Sequence, residues 1–470
     1  MPKTLDDETE PTTTVRPERP YRGGRRRAEA SLPRVAWLIG PALVAGVAYL
    51  DPGNVASNMT AGAQYGYLLV WVVVLGNVMA WLIQYLSAKL GIVTGRSLPE
   101  VLGGRIRNRW GRRAYWLQAE LVAMATDLAE VIGGAVALNL LFGVPLIWGG
   151  LITGAVSIVL LVLQSRRGPR TFEFVIMGLL AIITIGFTVG VFIAPPDPAG
   201  LLSGLVPRFA DANSVLLAAS ILGATIMPHA IYAHSALSRD RFARHVGEQV
   251  GERGREPGAR TGWHGFGLRR GTDASPELLP GTATALPTGI LVRATRWDVS
   301  IAMAIAGTVN LCILLLAAVN LSGVEGTDSL EGAYAALGAA LGPAIATLFA
   351  VGLLASGLAS TSVGAYAGAE IMYGLLHVRV PLLARRLVTL IPALVILWLG
   401  FDPTLSLVLS QVVLSFGIPF ALVPLVALTA KDTVLGQWRN HWATTAAGIA
   451  ASVFLIALNG VLLWLVFTGA

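Results

Sequence analysis

The sequence predicts an all-α integral membrane protein of eleven spans, the first ten set out as two five-helix halves of opposite orientation. Three observations predict it. Apolar residues make up 54% of the chain and charged residues only 13%, a balance outside that of soluble domains. Eleven apolar stretches follow one another between polar connections. The first and sixth of them, five apart, are each interrupted near the middle by proline, glycine and polar side chains. Matched interruptions of this kind are the sequence pointer to a solute site at the midplane of a repeat-built transporter. Five spans of offset make the sixth run opposite to the first.

Residues 1–33 are rich in Thr, Pro, Glu and Arg and show no apolar period, so they are expected to form a disordered cytoplasmic tail. No apolar core of a signal peptide is visible there. The membrane domain covers 34–467, with apolar stretches at roughly 34–58, 66–90, 114–142, 146–164, 172–194, 213–237, 298–321, 332–363, 384–400, 404–428 and 442–467. Most of these can cross about 30 Å of hydrocarbon. The ninth is short and suits a tilted or partly buried span. The connection at 239–297 is rich in Gly, Arg and Pro and is expected to be a disordered cytoplasmic loop.

Lys and Arg set the orientation. With the N-terminus inside, 33 of the 34 basic residues fall on the tail and the cytoplasmic connections, and Arg208 is the exception. Without the long connection the ratio is 23 of 24. By the positive-inside rule the N-terminus is cytoplasmic and, after eleven crossings, the C-terminus extracytoplasmic. The expected location is the plasma (inner) membrane, with lipids as neighbours.

Other classes are excluded on composition and motif. The net charge of +7 is spread over connections rather than along a stripe that would bind nucleic acid. Cys312 is the only cysteine, so neither a disulfide framework nor a thiolate cluster exists. The lysines follow Pro2, Ala88 and Ala430, and no His precedes a Glu, so the P-loop and zinc-protease signatures are absent. No cofactor is expected, and the chain is not expected to be an enzyme. Without a nucleotide site, energy must come from ion gradients. A divalent cation moving inward gains about 4.6 kcal/mol per 100 mV.

The first interruption is Tyr49-Leu50-Asp51-Pro52-Gly53-Asn54-Val55. Pro52 has no N–H and disfavours helix at the residue before it, while Gly53 is backbone-permissive. A carboxylate at this depth is costly and marks function by default. The plainer reading makes Asp51 an N-cap with Pro52 in the first turn. The second interruption, Gly223-Ala224-Thr225-Ile226-Met227-Pro228-His229, repeats the pattern. Together the two supply a carboxylate oxygen from Asp51, an amide oxygen from Asn54, backbone carbonyls near Ala48 and Ala224, and the Met227 thioether. Oxygen alone would suit Mg²⁺ or Ca²⁺. Sulfur tilts the set toward transition metals without separating Mn²⁺ from Fe²⁺, Co²⁺ or Cd²⁺. A lone Met in an apolar helix otherwise reads as core packing. Gln411, in the tenth span, is a further oxygen ligand or an interhelix hydrogen-bonding group.

The third span carries Glu120, Asp127 and Glu130. At helical spacing Glu120 and Asp127 lie about 20° apart and Glu130 about 80° from Glu120. The three acids form either a polar seam paired with arginines or a proton relay. His229 titrates in a range suited to carrying protons. His234 lies about 140° round the same helix and faces elsewhere. Arg385 and Arg386 open the ninth span and either pair with these acids or mark orientation. Glu370 lies near the inner end of the eighth.

Asp51-Pro52-Gly53-Asn54 with Met227-Pro228-His229 resembles the Nramp family of divalent metal transporters. Supporting stretches are Tyr85-Leu86-Ser87-Ala88-Lys89-Leu90-Gly91, Gly95-Arg96-Ser97-Leu98-Pro99-Glu100, Asp127-Leu128-Ala129-Glu130-Val131-Ile132-Gly133 and Leu409-Ser410-Gln411-Val412-Val413-Leu414-Ser415. The resemblance implies a LeuT-type fold, two inverted five-helix repeats plus an eleventh helix. It implies metal contacts from Asp51, Asn54, Met227 and Ala224, joined in some states by Ala48 and Gln411. It ties proton movement to Asp51, His229, Asp127 and Glu130, with Glu120 and Arg386 beside them. Ala230-Ile231, Leu358 and Ala369 depart from the family pattern, which bears on the proton route and gating rather than on the metal ligands. The expected function is proton-coupled import of Mn²⁺, Fe²⁺ and similar ions, for which a monomer suffices. The alternative is the same fold carrying an organic solute such as an amino acid. The acid Asp51 opposes a substrate carboxylate there.

Overall fold

The computed structural model describes residues 40–167, 169–250 and 287–468. The tail at 1–33 and the middle of the long connection, with His264, lie outside them. Every regular element among the described residues is helical.

The first span is broken as predicted. Helix α1 (Pro41–Val47) runs into a 3₁₀ turn at Ala48–Leu50, and α2 (Pro52–Tyr65) restarts one residue later. Asp51 is extended and caps α2, accepting a hydrogen bond from the Asn54 amide, with Pro52 in the first turn. The capping reading and the broken-helix reading therefore describe one device. Then come α3 (Val70–Thr94), the short α4 (Leu98–Arg105), α5 (Arg109–Phe142), α6 (Leu146–Arg167) and α7 (Pro169–Ile193). Helix α4 opens on a capping box between Ser97 and Glu100, two orphan helix donors satisfied at once.

After the short α8 (Pro198–Gly204), the sixth span is again two helices, α9 (Ala212–Thr225) and α10 (Pro228–Val250). Next are α11 (Thr288–Asn320), α12 (Leu330–Leu341), α13 (Pro343–Leu376), α14 (Leu382–Trp398), α15 (Pro403–Thr429), α16 (Asp432–Leu435) and α17 (Trp442–Thr468). Among the described residues eight helical stretches are long and apolar enough to cross a membrane, and the first broken span and α6 contain shorter apolar helices. Helix α14 lies where the sequence places the short ninth span.

Two boundaries differ from expectation. The eighth span begins at Pro343, not near 332, because Gly342 (φ 93°) and Pro343 separate it from α12. It also runs to Leu376. Gly374 in that extension abuts Pro99, where a side chain would hold the helices apart. The connection at 239–297 is helical at both ends. Helix α10 continues to Val250 and α11 starts at Thr288, which leaves 251–286 undescribed. Phe242, Ile92, Leu291, Val292 and Ala294 form a small separate core there. Apolar burial thus extends helix into a segment whose composition reads as loop.

The main core runs through the centre of the bundle. Large apolar side chains such as Phe192, Trp398 and Phe467 are exposed on its outside, as a lipid-facing surface requires.

Candidate metal site

Two prolines shape the site. In an unbroken helix the carbonyls of Ala48 and Ala224 would bond the N–H groups of residues 52 and 228. Both are proline, so neither carbonyl has that donor. Proteins account for such groups elsewhere. The Tyr49 carbonyl accepts from the side-chain amides of Asn54 and Asn310, the latter at 3.1 Å. The Leu50 carbonyl accepts from the Ser356 hydroxyl. At the other end of α1, the Gly40 and Ala42 N–H groups bond the Asp298 carboxylate of α11 at 3.2 and 2.9 Å. The break is held open by the side chain of Asn54 and by side chains of two other helices, α11 and α13.

Asp51, Asn54, Ala48, Ala224, Met227 and Gln411 are all completely buried. Asp51 Oδ1 accepts from the Asn54 amide at 2.8 Å, and Oδ2 from Gln411 Nε2 at 3.1 Å. Asn54 Oδ1 accepts from Asn58 Nδ2 at 2.6 Å. Gln411 Oε1 is buried with no partner among the described residues. Gln411 joins the two breaks. Its side chain lies against Gly53 and its backbone carbonyl against Gly223. At Gly223 a Cβ would strike the backbone of α15, and at Gly53 it would displace the Gln411 side chain. Ser57 and Ser220, whose hydroxyls are 2.6 Å apart, tie α2 to α9 beside it. No group of three or more His, Cys, Asp or Glu at metal-binding distance exists among the described residues. The site offers one carboxylate and otherwise neutral donors.

The acids of α5 pair with both arginines. Arg385 Nε bonds Glu120 at 2.9 Å and its Nη1 approaches Asp127 at 3.3 Å. Arg386 Nη1 bonds Asp127 at 2.7 Å and Glu130 at 3.2 Å. Its other donors reach Ser157 (3.0 Å) and Thr361 (3.3 Å). Glu130 Oε1 has no partner among the described residues and faces Gly364. This seam adjoins the break, since Pro52 packs on Gly133 and on Gly357, and Gly357 also touches the Glu130 carbonyl.

His229 Nδ1 lies 3.1 Å from the Thr126 hydroxyl, beside Asp127 in the chain. His234 faces elsewhere, as its helical angle predicts: its Nδ1 meets Gln84 Oε1 at 2.7 Å, and Gln84 Nε2 bonds the Tyr49 hydroxyl. Glu370 reaches a partner rather than the interface. It pairs at 3.2 Å with Arg239, which also holds Glu100 at 2.6 Å and Asp240 at 2.7 Å. Thr126, Gln84, Asn58, Asn310 and Arg239 were not singled out from the sequence. The signal available for Gln84 and Asn310 was a lone amide in an apolar span. Arg239 carried none, because it falls where the composition reads as loop.

Two matched helix breaks joined through one buried glutamine, with a buried carboxylate at the first of them, inside a bundle of apolar helices, define the class: a membrane transporter. The sequence profile described as natural resistance-associated macrophage protein-like matches residues 42–465, and the chain belongs to this Nramp family. It is 56% identical over 437 residues to a protein of Mycobacterium tuberculosis named divalent metal cation transporter MntH, covering 93% of each chain. It is 44% identical over 436 residues to the protein of that name from Deinococcus radiodurans, covering 92% of this chain and 90% of that one. Among solved structures it is similar to a variant of the Eremococcus coleocola manganese transporter, with TM-score 0.74 and 30% identity over 92% of this chain and 87% of that one.

Proposed function

We propose that this protein imports divalent transition-metal ions, Mn²⁺ and Fe²⁺ foremost, down the membrane potential and coupled to protons. The observation that carries the reading is the meeting of both breaks at Gln411, with Asp51 as the one carboxylate in contact. A single anion among neutral oxygens, with the Met227 sulfur following the second break, suits a borderline-soft divalent ion better than Mg²⁺ or Ca²⁺. The names of the relatives support the same substrate class. The ion enters as cargo, and the protein works without a resident cofactor.

The proton route is proposed to run from Asp51 past Pro52 to Glu130, Asp127 and Arg386, with His229 and Glu120 flanking it. Glu130 has an oxygen free to take a proton. The tail is proposed to lie in the cytoplasm, with the C-terminus outside the plasma (inner) membrane, on the distribution of Lys and Arg. The test is Mn²⁺ uptake into proteoliposomes under an inward proton gradient. Uptake is expected only with the gradient or potential present, and normal uptake by Asp51→Ala would defeat the assignment.

A further inference from the structure

Away from the break, Trp71, Leu75 and Val78 of α3, Phe454 of α17, and Leu205 and Phe209 of the connection into α9 line an open apolar groove of about 610 Å³. Arg208 is among the residues that line it. Trp71 fixes the backbone there. Its indole N–H donates to the Arg208 carbonyl at 3.3 Å, and its ring sits edge-on to Phe209 (5.4 Å) and Phe454 (6.5 Å). Pro207 restricts the backbone just before.

Arg208 is anomalous twice over. It is the one basic residue that the sequence places on the face opposite the tail, against the bias that sets orientation. The connections assigned to that face carry Asp197, Asp211, Glu325, Asp328 and Asp402, and Glu331 opens α12. Yet the Arg208 guanidinium forms no ion pair or hydrogen bond among the described residues. A free cation at the head of an apolar groove complements a molecule with an anionic head and a hydrocarbon tail. Length agrees. Trp71 is the second residue of α3, and Val78 lies seven residues further along it, about 10 Å at helical rise. Val78 is 59% exposed to whatever fills the groove.

We infer that this groove is a binding site for one anionic phospholipid of the phosphatidylglycerol type, its phosphate on Arg208 and one acyl chain along Val78. Native mass spectrometry of the full-length protein tests it, with phosphatidylglycerol and phosphatidylcholine of identical chains added separately. The wild type is expected to hold one phosphatidylglycerol through activation that strips phosphatidylcholine. Arg208→Gln is expected to lower phosphatidylglycerol retention about fivefold, the effect of removing one basic contact to an anionic headgroup. Val78→Trp, which fills the groove, should reduce both lipids, and Leu205→Trp serves in its place if that variant is not monodisperse. Retained preference in Arg208→Gln would overturn the proposal. So would displacement of the lipid by inorganic phosphate alone, or a dimer abolished by Val78→Trp, which would make a second copy the occupant.

Discussion

The break around Asp51 and the seam along α5 are both fully buried in the bundle, and they solve the problem of buried charge differently. The seam sets three carboxylates against two guanidinium groups, in contacts of 2.7 to 3.3 Å. The break sets one carboxylate against amides alone. A buried charge without a counter-ion is costly, and this is why we propose Asp51 as the group that takes the cation. At the seam the counter-charges are covalently present, which leaves room for protons but not for a metal ion. The contrast between an open charge and a closed network is the ground on which we propose the break as cargo site and the seam as coupling site.

Mutations can break that contrast, and the largest effect is expected at the open charge. Asp51→Ala should bring Mn²⁺ uptake to background, a fall of about a thousandfold if some 4 kcal/mol of ion binding is lost. Stability should fall by only about 1 kcal/mol, the loss of the Asp51 cap on α2. Arg386→Met should do the reverse of this. It leaves Asp127 and Glu130 without their shared partner and should cost about 3–5 kcal/mol of stability, read as a lowered melting temperature in detergent. If the two variants gave the same pattern of uptake and stability, the contrast between the regions would be lost.

Gly223→Ala and Gly53→Ala sharpen it further. A Cβ at 223 meets the backbone of α15 at Gln411 and Ser415, whereas one at 53 meets only the Gln411 side chain. The first should impair both folding and uptake. The second should fold and lose uptake about tenfold as Gln411 is pushed from Asp51, a displaced contact of roughly 1.4 kcal/mol. Glu130→Gln should keep Mn²⁺ movement under a membrane potential while abolishing acidification of proteoliposomes loaded with a pH dye. Unchanged acidification would take the seam out of the proton route. The smallest effect is expected for Met227→Ala: uptake within a few-fold of wild type by the weakness of a single soft contact, but with discrimination against Ca²⁺ and Mg²⁺ reduced. Competition between Mn²⁺ and Ca²⁺ measures it directly.

Much of the fold was legible because a bilayer admits few solutions. Apolar length, proline position and basic-residue asymmetry are one-dimensional signals, and the paired breaks at Pro52 and Pro228 stand out against them. The ligand candidates at Asp51, Asn54 and Met227 followed from position within those breaks. Gln411 was legible as an amide in an apolar span, but its contact with both halves was not, since it lies 360 residues from Asp51 in the chain. Arg239 was hidden because Gly- and Arg-rich composition reads as loop, whereas Glu100 and Glu370 hold it inside a helix. Arg385 and Arg386 could be read as partners of the acids or as markers of orientation, and the structure pairs them with the acids of α5.

The sequence by itself determined where the chain crosses the membrane, where two of those crossings must fail, and which donors the failures expose. These depend on backbone valence and hydropathy, which act locally. Only the tertiary structure decided that both failures close on one glutamine, that Arg386 is shared by Asp127 and Glu130, and that the Tyr49 and Leu50 carbonyls are taken up by Asn310 and Ser356. Those outcomes depend on which helices approach to within a hydrogen bond, and small residues such as Gly53, Gly133 and Gly223 permit that approach without naming the partner.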